Sequence, residues 1–238
     1  MMSRTSFPQI LPLRLPSVHA TTEFSVPSPV PVDRLVHQGP WRLTQSDGLV
    51  VLHGHPAVLQ LGLCAAVDRS LAGEPLFYLD GANAFDPFLI GRLARAAGSL
   101  PRMILPSIQV SRAFTCHQMV QLVTERLGPA LRAARSSAVI LSGPLETFYD
   151  ETVPAAEAVR LAQVLFASLR LLAGQGCRVL CLCPPPALPR RGHLLEALRR
   201  KADRVIEAVE GQEGLLLREW RAGVLSTWHI PREAWLGV

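Results

Sequence analysis

The chain has 238 residues, a formal charge of +5, and 49% hydrophobic against 18% charged residues. That length can bury a sizeable core, and that balance excludes a disordered chain. The positive charge permits a polyanionic partner without requiring one, and no unbroken apolar run reaches the ~18 residues of a membrane span.

The first 33 residues differ from the rest. Their run "FPQILPLRLPSVHATTEFSVPSPVPV" is dense in proline, which disfavours both helix and central strand. Pro8, Pro12 and Pro16 break what would be the apolar core of a secretory signal. Residues 1–33 are expected to form a flexible arm, followed by one domain over 34–238.

From there strand-like and helix-like runs alternate. "GLVVLH" predicts a strand, and Pro56 suits the first turn of the helix "PAVLQLGLCAAVDRSLAG". "PLFYLD" predicts a second strand, and "DPFLIGRLARAAG" a helix with proline at its start and glycine at its stop. "SIQVSRAF" predicts a third strand, and "TCHQMVQLVTERLG" an amphipathic helix ending at Gly128. "SSAVILS", the long helix "PAAEAVRLAQVLFASLRLLAGQG" and "CRVLCLC" complete the alternation. Strands apolar on both faces, separated by helices, predict an α/β fold with a mostly parallel sheet covered on both sides. After Pro184 come a Pro/Arg loop, the helix "GHLLEALRRKA" and three close-spaced strand-like runs, which predict an antiparallel extension of the same sheet.

The five cysteines, at 64, 116, 177, 181 and 183, are odd in number and lie in apolar runs. This predicts buried thiols in a reducing, cytoplasmic setting rather than a disulfide framework or a metal site. No metal or cofactor is expected.

Three phrases carry a resemblance. "FYLDGANAFDPFLIGRLA", "VSRAFTCHQMVQLV" and the position of "SSAVILSGPLETFYDE" resemble the ATPase core of RecA/RadA-type recombinases over roughly residues 45–230. The resemblance implies a RecA-like P-loop NTPase fold. It also implies a partner that is a recombinase or another RecA-fold subunit, and contact with single-stranded DNA. In the arm, "HATTEF" is similar to the linker through which such subunits join.

The chemistry that the family places on this scaffold is missing. Where the phosphate loop would follow Gly54, Val58 and Leu59 occupy the positions of the Lys-Thr pair. Ala82 stands for the catalytic glutamate, Ser142 for the magnesium-strand aspartate, and prolines 184–186 for a polar sensing pair. A bare helix N-terminus contributes ~0.3–1 kcal/mol towards an anion. That cannot replace a lysine, a metal and several charge-assisted hydrogen bonds of roughly 1.5–3 kcal/mol each. The expectation is a vestigial loop, with Asp80 and Ser142 lining the old cleft, and no catalytic residue.

The segment "PRRGHLLEALRRKADR" is basic. Leu194, Leu195 and Leu198 would dock its helix on the sheet, leaving Arg190, Arg191, Arg199, Arg200 and Lys201 outward as candidate DNA contacts. The leading expectation is a non-hydrolysing RecA-fold accessory protein of DNA recombination or repair. It would be cytoplasmic and nucleoid-associated, or nuclear in a eukaryote. The alternatives are a damage-response regulator, resembling cell-division inhibitors or translesion-synthesis accessory proteins, and an atypical DNA-dependent ATPase.

Overall fold

The computed structural model describes residue 36 and residues 39–212, 214–221 and 224–232. The predicted arm, the linker-like "HATTEF" and the Gly223 turn lie outside the described residues.

Eight strands form one sheet in the order β3-β2-β4-β5-β1-β6-β7-β8. They are β1 (Leu49–Gly54), β2 (Leu76–Asp80), β3 (Ile108–Arg112), β4 (Ala138–Ser142), β5 (Arg178–Cys183), β6 (Arg204–Glu210), β7 (Gly214–Arg221) and β8 (Val224–Pro231). Every pair from β3 to β6 is parallel, and β7 runs against both its neighbours. The antiparallel extension is therefore present. Its first strand, β6, is also the parallel neighbour of β1, so the extension continues the main sheet without a break.

Strand alternation sorts the core into two layers. On one face Val50, Leu52, Tyr78, Ile140, Leu180 and Leu182 pack under α1 (Val58–Leu71) and α2 (Pro87–Ala96). On the other face Leu49, Val51, Leu79, Leu141, Cys181 and Cys183 pack under α3, α4 (Ala155–Gly174) and α5 (His193–Arg199). Burial on both faces is what a parallel sheet requires, and it explains why β1, β2, β4 and β5 read as continuous apolar runs.

The helix starts follow local chemistry. Asp86 caps α2 by accepting from the N–H groups of Phe88 and Leu89 at 2.8 and 3.0 Å, with Pro87 at the first helical position. Thr115 accepts from the Gln118 N–H at 3.2 Å, and the Gln118 side chain accepts from the Phe114 N–H at 2.8 Å. The phrase "RAFTCHQM" is thus a reciprocal cap. The helix it opens does not stop at Gly128. It runs as α-helix over Cys116–Gln121, widens to a π-helix over Leu122–Leu127 and resumes over Gly128–Ala134; the three pieces together are α3. Pro129 lacks an N–H and crowds the preceding turn, and the wider π turn before it accommodates that ring.

The chain entering β1 is tied to the extension. Arg204 on β6 donates to Asp47 at 2.9 Å, to Glu219 on β7 at 2.9 Å and to the Pro40 carbonyl at 3.0 Å. Both carboxylates are buried, so the guanidinium supplies the charge that each needs. Among the described residues no helix is long and apolar enough to cross a membrane.

Candidate functional site

In a sheet of this kind the loops after the parallel strands gather at the carboxyl edge, and ligands bind in the crevice there. The chain leaving β1 forms α1 and then crosses two strands, β5 and β4, to reach β2. The cleft implied by the sequence therefore lies between the β1–α1 turn and the loop after β2.

The turn is built tightly. Gly54 has φ +108°, and a Cβ there would come within 2.2 Å of the Ala208 carbonyl oxygen on β6. No side chain fits at that point. The His55 N–H donates to that same oxygen at 2.8 Å, and the Ala57 N–H donates to His55 Nδ1 at 3.2 Å. The N–H groups of Val58, Leu59 and Gln60 donate to the carbonyls of His55, Pro56 and Ala57 at 3.0, 3.2 and 3.0 Å, and Leu61 also reaches Ala57. Pro56 has no N–H. From residue 55 to residue 61, every backbone donor that would have to converge on a phosphate already has an internal partner.

The side chains agree with the backbone. Val58 is wholly buried in the layer under α1, and Leu59 is half-buried at the cleft wall. The cleft has a volume of about 350 Å³ between His55, Leu59 and Gln60 on one side and Ala84, Asp86 and Leu89 on the other. Its lining includes the Asp86 carboxylate and no lysine or arginine. Such a wall repels a polyphosphate.

Asp80 and Ser142 close β2 and β4 as direct neighbours in the sheet register. The Asp80 carboxylate is buried and committed to its own loop. It accepts from the N–H groups of Ala84 and Phe85 at 2.9 and 3.0 Å and lies 3.5 Å from the Arg112 guanidinium. Ser142 lies against the Tyr78 phenol, and by hydrogen-bond geometry both buried hydroxyls lack a partner among the described residues. Above them Gly143, at φ +58°, approaches Ala82 so closely that a Cβ on it would come within 2.5 Å of the alanine Cβ. Ala82 therefore serves close packing between the two loops.

The loop after β4 carries a buried acid. Burial pushes Glu146 up to about 7, and Tyr149 and Cys183 beside it are also held in their neutral forms by burial. The same cause raises Cys64 and Cys181 to about 12 and Cys177 to about 11, so these thiols are poor nucleophiles. Among the described residues no group of three or more His, Cys, Asp or Glu side chains is placed to hold a metal ion.

The five basic candidates separate. Arg191 is buried and donates to the carbonyls of Phe148, Asp150 and Val153, so it fastens the loop after β4 rather than facing outward. Arg190 is exposed and pairs with Glu151 at 3.2 Å. Arg199, Arg200 and Lys201 lie together at the end of α5, with Arg199 paired to Glu196 at 2.6 Å. Two of them share a cavity of about 390 Å³ with residues that the sequence reading did not single out for this surface. These are His53 at the end of β1, Glu207 on β6, and Arg218 and Trp220 on β7. The signal for the last two was their alternate spacing in "REWR", which puts both on one face of a strand.

Comparison with known proteins adds no relative. No protein-family model matches the chain, and no curated protein sequence matches it.

Proposed function

We propose that this chain is a RecA-fold accessory protein of DNA recombination or repair that acts without hydrolysing nucleotide. It docks on a recombinase or another RecA-fold subunit and contacts single-stranded DNA through the end of α5. The observation that carries the non-hydrolysing part is the closed β1–α1 turn, in which residues 55–61 leave no backbone donor for a phosphate. Support for the scaffold comes from the strand order, with β1 flanked on both sides by parallel strands and the turn at its carboxyl end.

Support for docking comes from the β3 side of the sheet. Among the described residues β3 pairs with β2 alone, so its outer backbone edge is available to another chain. Phe88, Met103 and Phe114, on the segments leading to and from that strand, are 76%, 67% and 70% exposed. Such exposed apolar side chains beside an open edge favour a protein partner.

The test is co-purification of the tagged full chain from cells with damaged DNA. The expected result is recovery of a RecA-fold recombinase or its paralogue. Recovery of a cell-division protein or a translesion polymerase in its place would contradict the reading.

A further inference from the structure

We propose that the cavity between α5 and the outer face of β6 and β7 binds single-stranded nucleic acid. One base stacks on the Trp220 indole, and Arg199, Arg200 and Arg218 hold the adjacent phosphates.

Three observations converge on this cavity. Trp220 stands 69% exposed on a strand whose neighbours supply no cover for it, an unusual position for the largest apolar ring. Arg199, Arg200 and Arg218 reach the same space from two elements, facing Glu196 and Glu207, and Lys201 continues the basic row beyond it. At the back, His53 is only 5% exposed, and its Nε2 has no hydrogen-bond partner among the described residues. Burial, reinforced by Arg199, lowers its pKa and favours the neutral ring. A neutral imidazole nitrogen can donate to or accept from the polar edge of a base.

The combination selects the ligand class. Guanidinium groups alone would take any anion, but an exposed indole beside them adds a stacking platform that each nucleobase can use. A strand suits the site better than a free mononucleotide. The cavity is open along α5, and Arg200 and Lys201 lie where a second phosphate would pass.

This rests on the proposed reading for its choice of single-stranded nucleic acid, and it adds a location that can fail separately. The test is fluorescence anisotropy of a labelled oligo(dT) titrated with the full chain. Trp220→Ala should weaken binding by about tenfold or more, the cost of one lost base stack. Trp220→Phe should retain most of the affinity, with both variants melting as the parent does. Arg199→Ala with Arg200→Ala should flatten the salt dependence by about one unit of log–log slope. Unchanged affinity in Trp220→Ala would overturn this site while leaving nucleic-acid binding in place. Absence of binding by the parent protein would overturn both. Competition by dTMP as strong as by the oligonucleotide, at equal nucleotide concentration, would overturn the strand. Equal competition by polyglutamate would overturn the nucleic acid in favour of an acidic protein.

Discussion

His55 Nδ1 accepts the backbone N–H of Ala57 at 3.2 Å, closing from the side chain the turn that Gly54 opens. A nucleotide loop needs that N–H and its neighbours to point at an anion; here they point at the protein. Restoring the side chains named by the resemblance should therefore fail. Val58→Lys with Leu59→Thr should show no phosphate release from ATP, with or without oligonucleotide. Val58→Lys alone should lower the melting temperature, because residue 58 is wholly buried and a lysine there has no anion beside it. Phosphate release by a colorimetric assay and melting by circular dichroism read the two effects.

Asp80 is the residue that most resembles a catalytic remnant, and its contacts give it a structural role. Asp80→Ala strips the acceptor from two loop N–H groups and should destabilise the fold by roughly 1–3 kcal/mol in urea denaturation. Oligonucleotide affinity should not change, because the side chain sits on the α1–α2 face of the sheet and the α5 arginines on the other.

Arg191 offers a sharp contrast with its neighbours. Arg191→Ala leaves three carbonyl oxygens of the loop after β4 without a donor and should cost about 2–4 kcal/mol of stability. Arg190→Ala loses an exposed pair with Glu151 and should cost no more than ~1 kcal/mol. Equal losses in the two variants, by chemical denaturation, would contradict this assignment.

The contrast also shows what could be read from the chain alone. Pro56, Pro87 and the Asp and Thr caps marked helix starts correctly, because these act through neighbouring backbone groups. The apolar runs marked the parallel strands, because burial on both faces leaves no polar position in them. Gly128-Pro129 misled, since a π turn that absorbs a proline has no local signature. Arg191 reads as a surface cation until the loop after β4 folds over it, a contact between residues about forty positions apart. His53 and Trp220 meet one cavity only through the order of strands, which spacing along the chain does not encode.

Glu146 makes stability depend on pH. Burial raises it from an ordinary 4.5 to about 7, so the folded protein keeps a proton across a window in which the unfolded chain has lost it. Stability should therefore fall as pH rises from about 4.5 to about 7, with the full penalty present above that. The side chain retains some solvent access, so the effect is at most ~3 kcal/mol. Glu146→Gln should remove this slope and leave the variant more stable than the parent at pH 8, as urea midpoints at pH 5 and pH 8 would show.

The most direct measurement is calorimetric titration of the isolated protein with magnesium-ATP. With every donor of residues 55–61 internally satisfied and no lysine or arginine lining the cleft, the account predicts no saturable binding at millimolar nucleotide. A stoichiometric isotherm with micromolar affinity would contradict it.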